Sequence, residues 1–156
     1  MSNYANLDNS LSKFINNILD LWYYSVSKMF FDTTRRNFMK TTKEQLADWI
    51  EAGLNHGHWA PIGRYLLSRD PELGVVSGDV LGAAMIGKYG IKEALRLADK
   101  GDMKKVAESL GISVDYALFL QQYCFVMSRY AIINDEEIMR LVAKRLRAAL
   151  IVPDLG

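Results

Sequence analysis

Two histidines and one cysteine bound most of the metal and nucleophile chemistry open to this 156-residue chain. His56 and His58 flank a glycine in Asn55-His56-Gly57-His58-Trp59. Imidazoles two residues apart can converge on a metal ion, but a catalytic zinc needs at least one further ligand. Asp48, Glu51 and Asp70 are the carboxylates at hand, and the sequence does not bring them together. The same residues read as a glycine turn whose imidazoles satisfy local backbone groups. His56 and His58 are thus the metal candidates set against an expectation of no metal and no cofactor. Cys124 lies in the apolar run Tyr123-Cys124-Phe125-Val126-Met127 and reads as a buried, inert thiol. A lone cysteine permits no intramolecular disulfide and no cysteine-based zinc site. The chain has no Gly-x-Ser-x-Gly elbow, no Walker phosphate loop, no Gly-x-Gly-x-x-Gly after a strand and no His-Glu-x-x-His. Gly74-Val75-Val76-Ser77-Gly78 has the wrong spacing for a nucleophile elbow and reads as a loop and helix cap. The expectation is against an enzyme, and the enzymatic alternative centres on His56 and His58.

A second kind of chemistry is nucleic-acid contact. From Met103 to Gln122, residues Val106, Ala107, Leu110, Gly111, Ile112 and Leu120 fall where a helix-turn-helix needs apolar contacts, a small crossing residue and a turn glycine. The turn Leu110-Gly111-Ile112-Ser113 resembles that of bacterial regulators, over about twenty residues. Base readout needs Arg, Lys, Asn, Gln or Ser at base edges. Here the second helix offers Ser113, Val114, Asp115, Leu118, Phe119 and Gln122, which makes a poor reading head. Lys104 and Lys105 could touch phosphates, offset by Asp99, Asp102 and Glu108. A plain structural corner is the favoured reading. Further basic groups cluster at Arg35, Arg36, Lys40 and Lys43, and at Arg140, Lys144, Arg145 and Arg147. Arg140, Lys144 and Arg147 share one helical face, which usually means a solvated face. With 19 Lys+Arg against 18 Asp+Glu, the formal charge of +1 gives no whole-molecule attraction to nucleic acid or anionic membrane.

Partner binding is the third possibility. Leu7, Leu11, Phe14, Ile15, Ile18, Trp22, Val26, Met29 and Phe30 form one stripe of an amphipathic amino-terminal helix over 1–32. Tyr23, Tyr24 and Phe31 project off that stripe. Trp22, Tyr23, Tyr24, Phe30 and Phe31 are therefore the candidate partner interface, because aromatic residues are enriched at such surfaces. The opposite face carries Asn16, Asn17, Asp20 and Lys28 rather than the basic row of a membrane-surface helix. No stretch reaches the ~18 apolar residues of a membrane span. The amino terminus lacks a basic and then apolar leader. A reducing intracellular compartment is expected: cytoplasmic, or within a virus particle if the protein is structural.

The elements that must position these groups read as helices throughout. Thr41 with Glu44, and Thr42 with Gln45, both have capping-box spacing ahead of the stripe Leu46, Trp49, Ile50 and Leu54. Pro61 is placed to open a brief helix over 62–68, ending before Asp70-Pro71. Residues 79–88 read as a helix whose Gly82, Ala83, Ala84 and Gly87 cost propensity unless something packs close against them. Stripes over 91–98 and 103–110 end at Gly101 and Gly111. Residues 114–133 are apolar nearly all round and so are expected to be buried on every side. Asn134 with Glu137 opens a last helix, acids at its start and bases at its end. The expected fold is all-α, a compact single-domain bundle (1–156) of about seven to eight helices around a central helix near 114–133. The expected function is a non-enzymatic interaction or assembly protein, binding a protein partner or a second copy of itself.

Overall fold

The computed structural model describes residues 41–63, 65–98, 101–130 and 133–148, with Lys13 and Asn17 as isolated positions. The chain divides into two units, 1–36 and 37–156, and the elements below all belong to the second. They are helix α1 (Lys43–Leu54), strands β1 (Trp59–Pro61), β2 (Leu67–Arg69) and β3 (Val76–Gly78), then helices α2 (Val80–Tyr89), α3 (Ile91–Leu97), α4 (Met103–Leu110), α5 (Val114–Tyr130) and α6 (Asp135–Arg147).

Of the two capping boxes ahead of α1, the second is built. Gln45 N donates to Thr42 Oγ1 and Thr42 N to Gln45 Oε1, each at 3.1 Å. Thr41 is buried instead, its hydroxyl donating to Leu110 O at 2.6 Å, so the start of α1 is tied to the end of α4. Leu46, Ile50 and Leu54 are buried along the expected stripe.

The region after α1 corrects the all-helical expectation. The described residues of 62–68 form no helix, and a three-stranded sheet in the order β1-β3-β2 takes its place. β1 runs parallel to β3, pairing Trp59 with Val76 and Pro61 with Gly78, while β2 runs antiparallel to it, pairing Leu67 with Gly78 and Arg69 with Val76. Pro61 is tolerated because β1 is an edge strand, where a missing N–H breaks no central ladder. The β2–β3 turn hangs on Asp70, whose Oδ1 accepts from Glu72 N and Leu73 N, and on Gly74 at φ 66°.

The second correction concerns the centre. Helix α5 is not buried all round: Tyr116, Ala117, Phe119, Leu120, Tyr123, Cys124 and Met127 point inward, while Gln122, Phe125, Arg129 and Tyr130 are exposed. The more enclosed helix is α2, where every residue from Val80 to Ile86 is buried and only its last turn reaches the surface. Small residues make that possible. A Cβ on Gly53 would collide with Ala83 O, one on Gly87 with Trp49 O, and one on Gly82 with Leu66 O. The glycines of α1 and α2 let the two backbones meet, which is the close packing that offsets their propensity cost. Among the described residues there are six helices rather than seven or eight, with the sheet beside them. None of these helices is long and apolar enough to cross a membrane.

Candidate binding groove along α5

The exposed edge of α5 borders two adjoining hollows. One, of about 400 Å³, is lined by Gly63, Tyr65, Gln121, Gln122 and Phe125. The other, of about 390 Å³, is lined by Gly63, Phe125, Ser128, Arg129 and Asp135. Gly63 and Phe125 belong to both, so the two read as one groove between α5, the positions Gly63 and Tyr65, and the start of α6. Helical spacing places Gln122, Phe125 and Arg129 on its rim, opposite the buried row of α5. Two large rings stand open there, Tyr65 at 59% and Phe125 at 39% exposure. The Arg129 guanidinium lies 5.5 Å from the Phe125 ring centroid, within cation–π range. Gly63 N donates to Asp135 Oδ2 at 3.2 Å, and a Cβ at Gly63 would press on Asp135 Oδ1 at 3.1 Å.

One buried residue is bonded to two of the groove's walls. Asp79, 1% exposed, joins β3 to α2 and caps that helix, its Oδ1 accepting from Leu81 N at 3.0 Å and Gly82 N at 3.1 Å. Its Oδ2 accepts from Gln121 Nε2 at 2.7 Å, and its backbone N–H donates to Tyr65 O at 2.6 Å. Burial pushes the carboxyl up to about 6, because desolvation of the charge outweighs the hydrogen bonds that favour it. Cys124, buried three residues beyond Gln121, has its thiol pushed far up by burial, with Asp79 and Asp135 adding to the effect.

The residues singled out from sequence are dispersed. The corner at 103–122 has helix-turn-helix geometry: α4 and α5 meet at 103° across Gly111, which is left-handed at φ 68° and ψ 31°. Its turn is packed rather than free, for Ser109 O accepts from Lys88 Nζ at 2.7 Å and Tyr89 Oη at 2.6 Å, beside the Thr41 bond to Leu110. The second helix begins with Val114, Asp115 and Leu118 half-buried and Tyr116 and Ala117 buried. Lys104 and Lys105 are exposed, next to the capping Asp102. Arg140 and Arg147 are drawn into contacts between α6 and α1. Arg140 bonds Glu136 Oε1 at 2.8 Å and Asn55 Oδ1 at 2.9 Å, and Arg147 bonds Asp48 Oδ1 at 2.6 Å and also Glu51. Lys144 is exposed. The His56 and His58 rings lie 6.1 Å apart at 61°, and no group of three His, Cys, Asp or Glu side chains converges among the described residues. Trp22, Tyr23, Tyr24, Phe30, Phe31, Arg35, Arg36 and Lys40 lie outside the described residues.

Sequence reasoning missed Tyr65, Asp79, Gln121 and Phe125. A helix-capping Asp before an apolar, glycine-containing run was the one available signal. Nothing local to it says that position 121 lies alongside. In comparisons with known proteins no family model matches the chain, nor does any curated protein or solved structure, and the groove's chemistry is therefore argued from its own side chains.

Proposed function

We propose that this protein is a non-enzymatic binding module that seats a segment of a partner protein in the groove along α5. The observation that carries this reading is the pair of open aromatic rings, Tyr65 and Phe125, flanking a hollow with polar groups from Gln121, Gln122, Ser128, Arg129 and Asp135. Concave sites that join aromatic walls to a few placed polar groups are the usual form of a recognition pocket. Both rings already cost exposed apolar area, which a partner would remove from water. The test is selection of random displayed peptides on the protein, counter-screened on a Tyr65→Ser, Phe125→Ser double variant of unchanged circular dichroism. Enriched peptides should bind the wild type and lose at least tenfold on the double variant. Enrichment of nothing, or of peptides that bind both proteins equally, would remove the groove as the binding site.

A second reading is favoured by the 103° corner and its left-handed turn glycine, which suit a helix-turn-helix that touches duplex DNA. The half-buried Val114, Asp115 and Leu118 weigh against it, since they offer no donor to a guanine edge and a carboxylate to the phosphates. Salt-sensitive duplex binding that disappears on Lys104→Gln, Lys105→Gln would support it. Binding unaffected by those changes would leave the corner a structural joint.

A further inference from the structure

Resting on the groove as a binding site, the geometry points to the chemistry of its occupant and to a control on it: the groove receives an N–H-bearing aromatic group of a partner segment, an indole, against Gln121 Oε1, and a proton on Asp79 turns the Gln121 amide and inverts that preference. The Gln121 amide has two unlike ends, a donor nitrogen and an acceptor oxygen. An ionised carboxylate only accepts, so Gln121 must offer Asp79 its nitrogen, and it does so at 2.7 Å. Asp79 is buried while Gln121 is half-buried and lines the hollow, so Oε1 is the end left to the occupant. A hydrogen-bond acceptor flanked by the Tyr65 and Phe125 rings is complementary to a flat apolar group with one donor on its edge. Indole meets that description.

The control follows from how Asp79 is held. Its Oδ1 is engaged by Leu81 N and Gly82 N, so a proton taken from solvent goes to Oδ2, the oxygen that faces Gln121. The resulting O–H is a donor and needs Gln121 Oε1 as its acceptor. A half-turn of the amide supplies it, and Nε2 is then presented to the hollow. Burial places this titration near pH 6. β3 and the stretch of α2 from Val80 to Ile86 bring no charged side chain to Asp79. From α5 the neighbouring titratable group is Cys124, kept neutral by burial, and among the described residues the ionisable groups lining the groove are Tyr65, Arg129 and Asp135. The switching element is thus one carboxyl and one amide.

Indole and benzofuran, nearly identical in shape but opposite in hydrogen bonding, are the probes. Their affinities are read from the side-chain resonances of Gln121 and Phe125 in the full chain. At pH 7.5 indole should bind about tenfold tighter, the value of one hydrogen bond to a half-buried acceptor. At pH 5 that preference should fall or reverse, and the Gln121 amide protons should titrate with it. Asp79→Asn should show the acid-state preference at both pH values, because its new amide nitrogen donates to Gln121 while its oxygen keeps the helix cap. The wild-type titration stands by itself if that variant does not fold. Both fragments binding the groove with a preference that ignores pH would overturn this inference and leave the groove reading intact. Tighter binding of benzofuran at pH 7.5 would overturn it too, as would groove resonances that shift with protein concentration, which would give the site to a second copy. Neither fragment moving those resonances would remove the groove reading and this inference together.

Discussion

Asp79→Asn also yields a stability prediction whose sign runs against the usual cost of changing a buried, fully bonded residue. The carboxyl is raised from an ordinary value of 3.8 to about 6 in the folded protein. Between those values the folded state holds more protons than the unfolded chain, so wild-type stability rises as the pH falls through this window and is lost as the pH climbs through 6. At neutral pH the ionised, desolvated carboxylate costs about 3 kcal/mol relative to its behaviour in the unfolded chain, at ~1.4 kcal/mol per pH unit. Asparagine caps a helix about as well as aspartate and carries no charge to desolvate. The variant should therefore be more stable than wild type at pH 7.5, by about 1–3 kcal/mol once the reorientation of Gln121 is set against the gain. The pH dependence is the sharper part. Protonating Asp79 recovers about 1.4 kcal/mol for the wild type between pH 7.5 and pH 5, so the gap between the two proteins should shrink by that amount. Urea denaturation at both pH values measures it. A gap that stays constant to within about 0.5 kcal/mol would show that Asp79 does not titrate in this window, and an Asn variant weaker at pH 7.5 would show that its charge stabilises the fold.

Three other outcomes are expected. Gly53→Ala should destabilise by about 1–3 kcal/mol in urea, although the same change on an open helix surface gains ~1, because its Cβ would meet Ala83 O; a neutral or stabilising result would mean that α1 and α2 do not approach this closely. Arg147→Ala should cost less than about 1 kcal/mol and less still at high salt, since its partners Asp48 and Glu51 are 66% and 37% exposed; a large loss in differential scanning calorimetry would contradict that. If Tyr23, Tyr24 and Phe31 face a partner, changing all three to Ser should leave the melting temperature nearly unchanged while altering elution in size-exclusion chromatography with light scattering, and a large fall in melting temperature would make them core.

The parts of this fold that are legible in the sequence are those specified by neighbours in the chain. α1 and α6 begin where Thr42 with Gln45 and Asn134 with Glu137 mark them, and of the stripe Leu46, Trp49, Ile50 and Leu54 all are buried but Trp49, which is half-buried. Gly111 ends α4 in the left-handed conformation that a turn glycine supplies. The sheet is illegible for the opposite reason. Strands of three residues show no alternation to read, and Pro61 suits a helix start as well as an edge strand. Composition misleads at α5, where apolar content does not mean burial. Phe125 and Tyr130 are apolar and exposed, whereas α2 is buried from Val80 to Ile86 because its small residues let other backbones in. The groove was beyond local reasoning altogether, since its bonds join Gly63 to Asp135 and Asp79 to Gln121 across 72 and 42 residues.

That an acid, and not an amide, stands at position 79 bears on what the groove is for. Capping α2 requires only a side-chain oxygen, and asparagine supplies one without the cost of burying a charge. The backbone N–H that holds Tyr65 is indifferent to the side chain. What the carboxylate adds is a second acceptor, at Oδ2, which compels Gln121 to give up its nitrogen and leave its oxygen toward the hollow. An amide at 79 would fix Gln121 just as firmly in the opposite sense. Stability alone thus favours asparagine, and the orientation of one groove side chain is the property that distinguishes the two. If the groove binds a partner as proposed, a residue that weakens the fold while setting the polarity of one groove wall is the pattern expected where local consistency yields to function.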